Sequence, residues 1–395
     1  MKAQTVRDAE MQKEKIVAFR RALHRIPEVQ GETVKTEAFI AETLRDLGIE
    51  EVRTGVGGHG VTALIRGGLP GKCLAIRADC DALPVREETG LPFASDNGCM
   101  HACGHDAHTA MALGAAALLF ERRAELRGSV KFIFQPYEEG GRGALSMIRD
   151  GALLDPKVDA MIALHIGNIM GAEYETGDVV HTAEPVSANI YGFKAVFQGK
   201  GTHLANLSDG INPLFMASRA ALRLEEMRAS ALSEGERFAA AVTMIHGGVR
   251  NNIVPDTAEI QGSIRSFDRE KHKAFIARFQ EECGRIAGEY GGSVRFEIVT
   301  DVPCTVNDSE LQRRFVETAS RIVAPEHLKM LEQAPLMGED FAYFSELVPS
   351  LYFYFCSKPA DGPCYPHHHP KFDINEESLP MGSALFTEFA LQWQK

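Results

Sequence analysis

A chain of 395 residues is too long for one ordinary hydrophobic core, so two domains are expected. With 45% hydrophobic and 24% charged residues the composition is that of an ordinary globular protein, and a net charge of -12 without a dense basic stretch excludes nucleic acid or an anionic membrane as the main partner. Residues Met1 to Lys15 hold no apolar signal-peptide core, no apolar run reaches the length of a membrane span, and the eight cysteines are scattered singly, so a cytoplasmic, reducing location is the expectation.

In chain order, Ile16, Phe19, Ala22 and Leu23 recur at helical spacing between Lys13 and Leu23, and Thr36 to Leu47 repeats the pattern before Gly48, a plausible capping glycine. Strands are predicted at Val61 to Ile65, Cys73 to Ile76, Val130 to Gln135 and Ala160 to Leu164, with a buried, alanine-rich helix over Thr109 to Phe120. Three of these strands deliver polar side chains at their carboxyl ends: Asp79 and Asp81, then Glu138 and Glu139, then His165. That is the pattern of an open α/β sheet with a site along one edge. From Ala188 the order changes to strand (to Gln198), helix (Pro213 to Leu232), strand (Phe238 to Ile245), strand (Ala258 to Ser266), helix (Arg269 to Tyr290) and strand (Ser293 to Val299). This β-α-β-β-α-β order is ferredoxin-like. The division is therefore 1–185, an inserted domain over 186–300, and a second part of the α/β domain over 301–395, with helices near Glu310 to Ile322 and from about Glu339, and a strand at Leu351 to Phe355.

The densest chemistry lies in Met100-His101-Ala102-Cys103-Gly104-His105-Asp106-Ala107-His108. A thiol two residues from an imidazole, with a glycine between to let the backbone bend, has the composition of a soft divalent-metal site. A buried cysteine and a core histidine are the commoner fates of each residue taken singly. Glu138-Glu139 suits a division of labour in which one carboxylate binds metal and the other carries a proton, although adjacent glutamates are usually a solvated loop. Asp79 and Asp81 suit either ligation or the orientation of an imidazole, and at most one or two of His367, His368 and His369 can reach one ion. Together these residues suffice for two metals sharing a ligand at roughly 3.5–4 Å.

Arg77-Ala78-Asp79-Cys80-Asp81-Ala82-Leu83-Pro84, the Met100 to His108 stretch, Gln135-Pro136-Tyr137-Glu138-Glu139 and His368-His369-Pro370-Lys371-Phe372-Asp373 resemble the successive motifs of the M20 metallopeptidase family, in particular its amidohydrolase branch of N-acyl-amino-acid, hippurate and indole-acetyl-amino-acid hydrolases. The resemblance runs from Leu23-His24-Arg25-Ile26-Pro27-Glu28 to Met337-Gly338-Glu339-Asp340-Phe341. It implies a two-metal α/β catalytic domain with an inserted lid, a homodimer formed through that lid, and hydrolysis of the amide of a small acylated amino acid. By position it implies Cys103, His105, Glu139, His165 and His368 as metal ligands, Glu138 as general base and acid, and Asp81 as a support behind the ligands. The choice of His368 over His369 rests on its place two residues before the proline. In the lid, His203 matches a histidine that the family contributes across the dimer to polarise the scissile carbonyl, and Asn252 and Arg265 fall where the substrate carboxylate is held. His203 can equally cap a turn, Asn252 can be a turn residue before Pro255, and Arg265 can pair with Asp268.

The chain departs from the family at Leu207-Ser208, where a Pro-His pair is common, and at the polar run Val249-Arg250-Asn251-Asn252. Both departures bear on substrate identity more than on reaction type. The donor set suits zinc or cobalt through thiolate and imidazole and admits manganese through carboxylate. A dipeptidase or aminopeptidase of the same fold, and a non-catalytic metal-binding protein, are the alternative readings.

Overall fold

In the computed structural model, which describes residues 3–168, 174–231 and 237–394, the chain opens with three helices, α1 (Gln4–Met11), α2 (Lys13–His24) and α3 (Val34–Asp46). It continues through β1 (Glu51–Val56), β2 (Gly60–Arg66), β3 (Leu69–Asp79), α4 (His105–Glu121), β4 (Arg127–Gln135), α5 (Gly143–Arg149), β5 (Ala160–Gly167) and β6 (Val179–His181). An intervening segment forms β7 (Asn189–Gln198), β8 (Thr202–His203), α6 (Pro213–Ala231), β9 (Ala239–Gly247), β10 (Ile253–Val254), β11 (Thr257–Ser266), α7 (Arg269–Glu289) and β12 (Ser293–Val302). The last stretch holds α8 (Ser309–Ala319), β13 (Leu328–Met330), α9 (Ala342–Ser345), β14 (Ser350–Cys356) and α10 (Leu379–Gln392).

Two compact units result: one runs to Val186 and resumes over Thr305–Pro335 and from Asp340, and the other comprises Ser187–Cys304 with Leu336–Glu339. The first is a mixed α/β unit around an eight-stranded sheet ordered β1-β2-β4-β3-β5-β14-β6-β13. Its centre is parallel, β4 with β3, β3 with β5 and β5 with β14. β5 and β14 are buried along their whole length, as is β3 from Cys73 on, because helices cover both faces of such a sheet. This is why they read as continuous apolar runs and not as alternating ones. α4 is buried from His105 to Leu119, so its alanines pack on every side.

The second unit has a four-stranded antiparallel sheet ordered β12-β7-β11-β9, with α6 and α7 packed on it. Counting only these long strands, the order is 4-1-3-2, the ferredoxin-like arrangement. Leu232, the last residue of the helix expected there, lies outside the described residues. The helix expected from Glu339 is shorter and later than the sequence suggests. Glu339 and Asp340 precede it, and α9 spans only Ala342–Ser345. Among the described residues no helix is long and apolar enough to cross a membrane.

Candidate metal centre

The carboxyl ends of β3, β4 and β5 lie side by side in the sheet, which brings Asp79, Asp81, Glu138, Glu139 and His165 to one edge. α4 starts there too. Its N-cap, Gly104, has φ +88°, and a Cβ on it would lie 2.9 Å from Ile166 Cγ2, so the turn between Cys103 and His105 requires glycine. Tyr137 (φ 61°) and His368 (φ 66°) are non-glycine residues held in the left-handed region on either side of the same site, a conformation that surrounding contacts must enforce. For the Tyr137 turn those contacts are visible. The buried Asp81 carboxylate accepts the backbone N–H of Glu138 at 3.0 Å and of Glu139 at 3.2 Å.

Hydrogen bonding decides which histidine nitrogens can face a metal. His105 Nδ1 donates to the Asp81 carbonyl oxygen at 2.9 Å, so Nε2 is the nitrogen left to face a metal, and Nε2 has no hydrogen-bond partner among the described residues. His165 Nδ1 donates to the Ile166 carbonyl at 2.9 Å, and its Nε2 stands 3.4 Å from Cys103 Sγ. His108 differs. Its Nδ1 bonds to Asp79 at 2.5 Å and its Nε2 accepts the Ile166 N–H at 2.8 Å, so both nitrogens are occupied and it buttresses the strand end.

Glu139 Oε1, a buried oxygen without a hydrogen bond, lies 3.4 Å from His368 Nε2 and 3.9 Å from His105 Nε2. Donor atoms held at roughly 2.0–2.3 Å by one tetrahedral ion are about 3.4–3.6 Å apart. The Cys103–His165 and Glu139–His368 separations have that spacing, and the orphaned atoms of His105 and Glu139 point to the same place. The residues present therefore fit a divalent metal. His369 is engaged elsewhere: its Nδ1 accepts the Lys371 N–H at 3.0 Å and its ring stacks on Tyr365.

The electrostatics agree. Burial, reinforced by Glu139, pushes the Cys103 thiol well above its ordinary value, so a cation is what would make it a thiolate. Burial would lower His105, but Asp79 and Cys103 outweigh it and raise it, the response of an imidazole in a negatively charged nest. Burial and the neighbouring His108 and His367 hold His165 neutral, as a ligand must be. Behind the site the buried Arg77 guanidinium bonds Asp79 at 2.9 Å, Gln135 at 2.9 Å and Asp340 at 3.2 Å, while Asp340 also accepts the Ala144 N–H. Arg77, Gln135 and Asp340 lie inside the quoted motifs, yet the sequence carries no sign of this role for them.

In the second unit, His203 is exposed, and its Nδ1 accepts the Ala205 N–H at 3.1 Å. β8 and β10 pair His203 with Ile253, and the Asn252 carbonyl accepts the Leu204 N–H at 3.0 Å, so His203 and Asn252 are neighbours. Arg265, half-buried on β11, donates to the Leu336 carbonyl at 2.7 Å, and Asp268 caps α7 through the N–H groups of Glu270 and Lys271.

The sequence profile of peptidase family M20/M25/M40 matches residues 75–392. The chain belongs to peptidase family M20. This M20 chain is 37% identical over 388 residues to thermostable carboxypeptidase 1 of Saccharolobus solfataricus, an alignment that covers 96% of it and 95% of that protein. It is 35% identical over 377 residues to the N-acetyl-L-cysteine deacetylase of Bacillus subtilis, covering 95% and 87%. Among solved structures, a dinuclear metal-binding peptidase of the M20 family from Bacillus subtilis superposes with a TM-score of 0.80 at 32% identity, over 97% of this chain and 98% of that one. Family membership makes the protein a metal-dependent hydrolase of the metallopeptidase and amidohydrolase type, and sets aside the non-catalytic alternative.

Proposed function

We propose that the protein hydrolyses the amide bond of N-acylated amino acids or related amino-acid conjugates, using two divalent metal ions held by Cys103, His105, Glu139, His165 and His368. When bound, the ions acidify a water molecule and polarise the scissile carbonyl, with zinc, cobalt and manganese all compatible with the donor set. Glu138 takes the proton of the attacking water and returns it to the departing amine nitrogen. His203 stabilises the oxyanion, and Asn252 and Arg265 bind the substrate carboxylate, Arg265 through a planar fork that suits that group. Asp81 keeps Glu138 and Glu139 in place.

The observation that carries this reading is the Glu138-Glu139 turn. Its two adjacent carboxylates have different surroundings: Glu139 faces the imidazoles of His105 and His368, while Glu138 Oε1 accepts the Asp340 N–H at 3.4 Å. Glu138→Gln is expected to bind metal with unchanged stoichiometry and to lose about 10²–10⁴-fold in kcat. Full activity of that variant would overturn the base assignment.

A second reading, cleavage of a peptide carboxyl terminus or of a dipeptide, is favoured by the 37% identity to a carboxypeptidase. Comparing kcat/KM on acetyl- and benzoyl-amino acids with that on dipeptides and blocked peptides separates the two. The likeness in the lid motifs also supports a homodimer formed through the second unit, which sedimentation equilibrium tests. A cytoplasmic location accords with eight cysteines that form no disulfide.

A further inference from the structure

His367 is a residue to which neither the motif resemblance nor the mechanism above gives a role. Its ring is wedged at the site: the His165 ring centroid is 5.1 Å away, nearly perpendicular, and Phe372 closes the other side at 4.5 Å. Both ring nitrogens are shut off from solvent, and beyond an approach to the Cys103 backbone neither meets a hydrogen-bond partner among the described residues. Buried polar groups are rarely left short of partners, so such a ring is expected to have a partner that appears only in the loaded protein. The backbone makes room for it. Gly167 has φ +116°, and a Cβ there would lie 2.5 Å from His367 Nε2, so any side chain at 167 would expel the ring.

A ring nitrogen of His367, Cys103 Sγ and a ring nitrogen of His165 all lie within 4.8 Å of one another. Cys103 Sγ, Glu139 and His368 form a second set with the same property. The two sets share only the thiol, the arrangement expected of a sulfur that serves two ions.

We propose that His367 is a further protein ligand of the metal centre, completing a Cys103–His165–His367 set beside the Cys103–Glu139–His368 set. This rests on the two-metal reading above. It adds a second imidazole to the His165 side, which makes that side richer in soft donors and gives it a preference for zinc or cobalt over manganese.

The test is zinc titration of the metal-stripped full-length protein against a competing chelator, for wild type and His367→Leu, with cobalt loaded in parallel and its visible spectrum recorded. Leucine fills the space against Gly167 and Phe372 without a donor atom. The expected result is that one of two zinc equivalents weakens by more than the roughly 10–100-fold that an outer hydrogen-bond partner is worth, and that the cobalt d–d bands change. Two equivalents with unchanged affinity and an unchanged cobalt spectrum would overturn the proposal. A wild-type protein that binds no zinc would instead overturn the two-metal reading. Should His367→Leu not fold, as judged by circular dichroism of the metal-free protein, the zinc-loaded wild-type crystal structure decides. A His367 nitrogen at about 2.0–2.1 Å from zinc supports the proposal, and a ring turned away from zinc refutes it.

Discussion

Asp81 shows how much one buried carboxylate can organise. Burial raises its pKa, against the pull of His105, yet both of its oxygens are engaged by the backbone N–H groups of Glu138 and Glu139, and its own carbonyl accepts from His105 Nδ1. Asp81→Ala frees the strained turn after Tyr137 and removes the acceptor of the Glu138 and Glu139 N–H groups. Metal affinity is expected to fall about 10–100-fold with the protein still folded, measured as the zinc dissociation constant beside a far-ultraviolet spectrum. Affinity equal to wild type would show that the turn is held by other contacts. At this scale the sequence was legible in residue type and weak in direction. Cys103 and His105 stand out by spacing, but nothing in the sequence separates His108, whose two nitrogens are occupied, from His165, which leaves one open. That difference is made by Asp79 and by the Ile166 N–H and carbonyl, groups that become neighbours only when β3, α4 and β5 meet.

Between elements, the link least visible in the sequence is Arg20. It lies on α2, fully buried, and reaches Asp106 in the first turn of α4 at 3.2 Å, Asp373 at 2.8 Å and Glu376 at 3.2 Å. His24, one turn later, adds a bond to Asp106 at 2.7 Å. Burial would raise the Asp106 carboxyl, but Arg20 and His24 outweigh it and hold it well below the ordinary range. One guanidinium thus fastens the Cys103–His105 loop to the segment that follows His368. Arg20→Ala leaves Asp106 buried and short of its main partner, and is expected to cost about 3–5 kcal/mol of unfolding free energy, read from a shift in urea midpoint at constant m-value. A loss below about 1 kcal/mol, the scale of an exposed pair, would show that the network contributes little to the fold. Periodicity located α2 and α3, and continuous apolar runs located the central strands and α4. It missed α1, whose composition is polar. It also missed β6 and β13, three residues each, and α10, which opens on Leu379-Pro380-Met381-Gly382 and is apolar all round. Short strands are defined by their partners in the sheet, and α10, whose first turn carries Pro380 and Gly382, offers neither an amphipathic period nor the alanine-rich run that marks α4.

At the scale of the whole molecule, the second unit is an insertion whose ends meet. The Val186 N–H donates to the Thr305 carbonyl at 2.9 Å, and Pro185 bridges Val306. The first unit keeps its own apolar clusters on the sheet, and all six residues proposed as ligands, His367 included, belong to it together with Glu138. His203, Asn252 and Arg265 belong to the second. If metal binding resides in one unit and carbonyl polarisation and substrate capture in the other, the two properties come apart when the insertion is removed. A chain in which residues 188–303 are replaced by a short glycine-serine linker closes over a gap that the native backbone already bridges, so it is expected to fold and to bind zinc with near-native affinity. Its turnover on an acetyl-amino acid is expected to fall by more than about 10²–10³-fold, the loss that follows from removing a single oxyanion donor. Retention of full turnover would assign the oxyanion and carboxylate contacts to the first unit, and loss of zinc affinity would mean that the insertion helps to build the metal site.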